Sequence, residues 1–171
     1  MKSGWELPQE VLIWVDENLP EGSLILEFGS GHGSVELSKN YELISVEHDE
    51  KWLGLSQGQY IHAEIVSNQT SSKYSEKGWY NQEKLHELPA EVDAIIIDGP
   101  PGQIGRIGIL EFLPMLPKTQ FIIVDDTDRI AEKKLLNELA KKLAPLDQVE
   151  ITSRTQRSNG EPRKATVLIL R

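Results

Sequence analysis

Apolar residues in this chain fall into short runs whose spacing switches between helical and extended. Val11, Leu12, Val15 and Leu19 recur every three or four residues behind Pro8, which suits a first helical turn, and Pro20 and Gly22 end the pattern. Leu24-Ile25-Leu26 then predicts a strand, a glycine-rich turn and a short helix to about Asn40. Leu43 to Glu47 predicts a second strand, and Asp49 to Gln57 a helix with Trp52 and Leu53 turned inward. Tyr60 to Val66 reads as a third strand, and the polar, Ser-rich stretch 67–77 as a loop.

The second half repeats this alternation. Asp93 to Asp98 has an unbroken apolar centre, Ala94-Ile95-Ile96-Ile97, which implies a strand buried on both faces, as in a parallel sheet. Gly99-Pro100-Pro101-Gly102 must turn, and a short helix runs on to Leu113. Phe121 to Asp125 predicts a fifth strand. Ala131, Leu135, Leu139 and Leu143 predict a long helix that Asp128 would cap and Pro145 would close. Val149 to Arg154 and Ala165 to Leu170 flank Asn159-Gly160, a hairpin signal. The expected architecture is α/β: a doubly wound, seven-stranded, mostly parallel sheet with an antiparallel last strand. Residues 1–171 read as a single domain without internal repeats.

Composition narrows the function only by exclusion. The chain has 171 residues, 39% of them hydrophobic and 26% charged, as in an ordinary water-soluble domain. It lacks any apolar run near the ~20 residues of a membrane span, and Met1 to Glu6 lacks a signal peptide's apolar core, so a cytoplasmic location is expected. The absence of cysteine excludes disulfides and thiolate metal sites. A net charge of −9 argues against broad binding of nucleic acid. One local basic group stands out: Arg154, Arg157, Arg163 and Lys164 surround Ser158-Asn159-Gly160, either as a solvated hairpin tip or as a contact surface.

The turn after the first strand carries the clearest chemistry. Glu27-Phe28-Gly29-Ser30-Gly31-His32-Gly33-Ser34 puts alternate glycines between a strand and a helix, where backbone N–H groups and a helix dipole meet a ligand. A dinucleotide fingerprint would place glycine where Ser34 stands. Glu27, two residues before the first glycine, suits an ammonium group, and Glu47 at the end of the second strand suits two ribose hydroxyls. On these residues the chain resembles the class I S-adenosylmethionine-dependent methyltransferases, whose fold is Rossmann-like. The resemblance implies S-adenosylmethionine bound by Glu27, Gly29, Ser30, Gly31, Gly33, Glu47 and His48. His32 and His48 titrate near neutral pH in principle, yet read better as pocket walls than as bases.

Further carboxylates fall at strand ends, where ligands bind in open parallel sheets. Asp98, Asp125 and Asp126 would repel one another unless some are protonated or a cation sits among them. Ile97-Asp98-Gly99-Pro100-Pro101-Gly102 and Val124-Asp125-Asp126-Thr127-Asp128-Arg129 resemble the metal-binding segments of cation-dependent catechol and caffeoyl-CoA O-methyltransferases. Asp126 stands where that family has Asn, and the Gly-Pro-Pro-Gly turn departs from its more polar loop. The resemblance implies Asp98, Asp125 and Asp126 as ligands of Mg²⁺ or another divalent cation. The alternative is that Arg106 and Arg129 neutralise the aspartates as salt bridges.

The sequence thus points to methylation of an oxygen on a small hydroxylated acceptor, with Asp98 and Asp125 as the catalytic candidates. A catalytically silent, nucleoside-binding partner subunit and a nicotinamide-dependent reductase are the alternatives. Trp79 and Tyr80, within Lys77-Gly78-Trp79-Tyr80-Asn81, would either stack on a ring or anchor their loop. Trp5 would pack under the first helix or cover the site. A small-molecule substrate is the expected partner, no membrane is involved, and a homodimer is left open.

Overall fold

In the computed structural model, which describes residues 6–67 and 78–171, helix α1 (Gln9–Asn18) leads into strand β1 (Leu24–Phe28), helix α2 (His32–Leu37) and strand β2 (Glu42–Glu47). Strand β3 (Gln59–His62) and the short pair β4 (Ile65–Val66) and β5 (Trp79–Tyr80) follow. Next come β6 (Ala94–Ile97), α3 (Ile109–Phe112), β7 (Phe121–Val124), α4 (Ile130–Leu143) and a hairpin of β8 (Asp147–Gln156) and β9 (Pro162–Ile169). Seven strands form one sheet in the order β3-β2-β1-β6-β7-β9-β8. The first five of that order pair in parallel, whereas β9 is antiparallel to both β7 and β8. This is the doubly wound sheet that the alternation of strands and helices predicts.

Both faces of the sheet are buried because successive side chains point to opposite sides. Ile25, Ile96, Ile123 and Val167 pack with Val11, Val15 and Leu37 of α1 and α2. Their neighbours Leu26, Ile95, Ile122 and Leu168 pack with Phe112, Leu135 and Leu139 of α3 and α4. Each such aliphatic side chain contributes about 1.5–3 kcal/mol when fully buried. No helix among the described residues is long and apolar enough to cross a membrane.

Four local expectations need correction. The helix expected over Asp49–Gln57 shrinks to a 3₁₀ turn, Glu50–Trp52, since Gly54 adopts a left-handed φ of 73°. Leu55 is exposed there, so no apolar face exists to stabilise a longer helix. The strand expected over Tyr60–Val66 breaks after His62, and Ile65–Val66 pairs instead with Trp79–Tyr80, whose rings pack against Phe28. Asp128 does not cap α4; its carboxylate accepts from Arg157 and from the Lys164 backbone N–H, and Arg129 occupies the cap position. Ala131 is exposed, and the buried stripe of α4 begins at Glu132 instead. Part of the expected loop 67–77, together with Trp5 and Lys77, lies outside the described residues.

Candidate active site

The strand order reverses between β1 and β6, so the segments leaving these strands diverge to opposite faces and open a crevice at their carboxyl ends. Ladder hydrogen bonds continue one residue past the strands and fix the floor of that crevice. Gly29 N–H donates to Val46 O, Asp98 N–H to Phe28 O and Asp125 N–H to Ile97 O. The resulting cleft has a volume of about 280 Å³ and includes Gly29, Ser30, Glu47, His48, Asp98 and Asp126 in its walls.

At one end, Glu47 organises the backbone around it. Its Oε2 accepts from Ser30 N–H at 2.8 Å, and its Oε1 accepts from the N–H groups of His48 and Asp49 at 2.7 and 2.8 Å. A carboxylate has about four acceptor positions, so one remains for a ligand hydroxyl. Ser30 Oγ donates to Trp52 O, which brings Trp52 to the same wall. Tyr80 completes it, with a buried ring and a hydroxyl that has no partner among the described residues.

Glu27 and Gly33 are placed differently from the sequence expectation. Glu27 is 3% exposed and lies behind the glycine loop, where its Oε1 accepts from Ser34 Oγ at 2.5 Å and Ser45 Oγ at 2.6 Å. Gly31 N–H donates in turn to Ser34 Oγ, so Glu27 shapes the loop through Ser34. Burial raises its carboxyl to about 7 despite the two hydroxyl donors, with the Glu47 charge adding to the rise. Gly33 is buried against the segment before α1; a Cβ there would lie 2.7 Å from Leu7 Cβ. Its lack of a side chain thus serves packing rather than the cleft. Gly31 is half-buried with an extended backbone, and His32 is exposed with its ring edge-on to Trp52 at 6.0 Å.

At the other end, Asp98, Asp125 and Asp126 offer oxygens within 4.8 Å of one another. Arginines surround them. Asp126 Oδ2 meets Arg106 at 3.0 Å and Arg129 at 3.1 Å, and its Oδ1 meets Arg157 at 2.5 Å and Arg163 at 3.3 Å. Asp125 Oδ2 pairs with Arg163 at 2.9 Å, and Arg106 Nη2 lies 3.4 Å from Asp98 Oδ1. Arg106 also donates to the backbone carbonyls of Asp98, Pro100 and Asp125, tying the segments after β6 and β7 together. Burial alone would raise the Asp126 carboxyl, but Arg106, Arg157, Arg129 and Arg163 hold it below the usual carboxylate range. Asp126 also has a left-handed φ of 60°, which Asp tolerates better than most residues.

Asp98 and Asp125 behave as a pair. Burial pushes both carboxyls up, and the Asp125 charge adds to the rise at Asp98. Asp98 is a quarter exposed toward the cleft, and Asp125 is fully buried behind it. This donor set does not fit a divalent cation. Both oxygens of Asp126 and one of Asp125 already face guanidinium groups, whose charges repel a further cation.

Sequence reasoning named Arg106 and Arg129 as counter-charges but read Arg157 and Arg163 as part of a solvated hairpin tip or a contact surface. Strand parity carried the missing signal for Arg163, which shares a face with the buried Ala165 and Val167. Trp79 and Tyr80 anchor their segment in the core, and Tyr80 also reaches the cleft. Nothing in the local sequence marked Ser34 and Ser45 as the partners of Glu27.

Comparison with family models and with curated proteins gives no match. Solved structures do match in fold. The O-methyltransferase TomG of Streptomyces achromogenes, in complex with SAM, is 14% identical with a TM-score of 0.54, over 95% of this chain and 80% of that one. An O-methyltransferase of Bacillus cereus in complex with SAH is 14% identical with a TM-score of 0.55, over 94% and 78%. The E. cuniculi Mtq2 complex responsible for methylation of a translation termination factor is 17% identical with a TM-score of 0.51, over 95% and 93%. The chain has the fold of S-adenosylmethionine-dependent methyltransferases.

Proposed function

We propose that this protein is an S-adenosylmethionine-dependent methyltransferase that methylates an oxygen of a small hydroxylated acceptor. One observation carries the reading: a single cleft at the strand-order reversal has an acceptor carboxylate, Glu47, at one end and Asp98, backed by the buried Asp125, at the other. The matched fold, held by proteins in complex with SAM and SAH, supports the cofactor.

Bound S-adenosylmethionine supplies an electrophilic methyl group on a positively charged sulfur. Glu47 would accept from one ribose hydroxyl while keeping the glycine loop closed through Ser30. The glycine loop of Gly29, Ser30 and Gly31 would receive the amino-acid end, with Glu27 holding its shape from behind and His48 closing the ribose wall. Asp98 would take the proton of the acceptor hydroxyl as the new O–C bond forms and the C–S bond electrons pass to sulfur. A raised carboxyl pKa makes this pair a stronger base than an exposed aspartate. Arg106 would keep Asp98 in place and balance its charge once it is deprotonated. Alignment of nucleophile, methyl and sulfur supplies most of the remaining acceleration.

Methyl-labelled S-adenosylmethionine offered with a panel of hydroxylated small molecules tests this. Label should appear on oxygen, and Asp98→Asn should lower the rate by about 10²–10⁴ with S-adenosylhomocysteine affinity retained. Transfer to nitrogen or carbon, or an undiminished rate in Asp98→Asn, would contradict the assignment.

A further inference from the structure

Arg129 stands apart from the other arginines around the aspartates. The side chains of Arg106 and Arg163 are under a tenth exposed, and Arg157 about a fifth; each hydrogen-bonds carboxylate or carbonyl oxygens. Arg129 is 38% exposed, lines the cleft, and touches Asp126 through Nη1 alone. Its Nε and Nη2 meet no acceptor among the described residues. Gly102 lies across from it, where a Cβ would come within 3.3 Å of Arg129 Nη1. A side chain there would crowd the guanidinium.

Arg106, Arg129, Arg157 and Arg163 face Asp98, Asp125, Asp126 and Asp128, and the buried Glu132 also acts on Arg106. A second unmet donor lies in the same cluster, since Arg163 Nε is buried without a partner among the described residues. Free planar donors at the base end of the cleft suit an anion, and the guanidinium fork suits one with two oxygens.

We propose that Arg129 forms an anion subsite, and that the methyl acceptor carries an oxyanion group, a carboxylate or a phosphate, beside its reacting hydroxyl. This rests on the methyltransferase reading above. The same chemistry has a second source, the carboxylate of the cofactor's own amino-acid end, and the experiment separates the two.

Melting temperatures are compared in acetate, inorganic phosphate and chloride at equal ionic strength, with and without saturating S-adenosylhomocysteine. Acetate or phosphate should raise the melting point of the S-adenosylhomocysteine complex by about 2–4 °C over chloride. Arg129→Gln should abolish that rise, and Arg154→Gln, a change at an exposed arginine of the hairpin, should keep it. A rise in the free protein that vanishes in the complex would assign the anion to the cofactor and overturn the proposal. So would no rise in either state, or a full rise in Arg129→Gln. A protein that does not respond to S-adenosylhomocysteine at all would instead remove the methyltransferase reading, and the proposal with it.

Discussion

Gly29 and Gly99 meet back to back where the sheet reverses its strand order: a Cβ on Gly29 would lie 2.8 Å from Gly99 N and 2.9 Å from its Cα. The segments leaving β1 and β6 can approach this closely only without side chains, and the cleft opens directly beyond their contact. Gly29 also has a φ of 89°, a left-handed conformation that costs other residues energy.

Gly29→Ala should therefore destabilise the fold as well as the site, because backbone rather than a movable side chain opposes the new methyl. A loss of about 2–4 kcal/mol in denaturant unfolding is expected. Gly31 provides the contrast, since its φ of −174° is open to any residue. Gly31→Ala should leave the melting temperature near wild type and weaken S-adenosylhomocysteine binding. Equal destabilisation by the two substitutions would show that the back-to-back contact is not what makes Gly29 necessary.

Glu27 makes stability depend on pH. Its carboxyl stays protonated up to about 7 in the folded protein, whereas it ionises near 4.5 when unfolded. Between these values the native state holds the extra proton, so stability falls as pH rises and levels off above about 7. The full cost is about 3 kcal/mol. Glu27→Gln should remove this fall, giving a variant that gains on wild type from pH 4.5 to 7. Parallel stability curves for the two proteins would contradict a buried, protonated Glu27.

Asp126 is the hub of the arginine cluster, and Asp126→Asn tests that role without disturbing its backbone, because Asn also tolerates a positive φ. Removing one partner of a buried ion network leaves uncompensated charge and should cost about 3–5 kcal/mol. Mg²⁺ or Mn²⁺ should not raise the melting temperature of the wild type, since the arginines already occupy the carboxylate oxygens. A cation-dependent rise that disappears in Asp125→Asn would restore the metal reading.

The sheet was legible in the sequence because its signals are local and strong. Ala94-Ile95-Ile96-Ile97 and Phe121-Ile122-Ile123-Val124 are each long enough to be buried on both faces, and Asn159-Gly160 turns the last hairpin, with Gly160 at a φ of 83°. Glu47 and the aspartates were legible for the same reason: each ends a strand, and topology then brings the ends together. Partners that depend on long-range packing were not legible. Arg163 and Asp125 are 38 positions apart, Ser45 and Glu27 are 18 apart, and no short window pairs them. The strand expected over Tyr60–Val66 failed for a similar reason, because its end is captured by Trp79 and Tyr80 from a distant segment.

Calorimetric titration of wild type and Glu47→Ala with S-adenosylhomocysteine and with NAD tests the account most directly. Glu47 accepts three backbone N–H groups and keeps one position for a ligand hydroxyl. Hydrogen bonds to a charged acceptor contribute roughly 1.5–3 kcal/mol. Wild type should bind S-adenosylhomocysteine in preference to NAD, and Glu47→Ala should bind it at least about tenfold more weakly. Tighter binding of NAD, or an affinity for S-adenosylhomocysteine unchanged by the loss of Glu47, would contradict the assignment of this cleft.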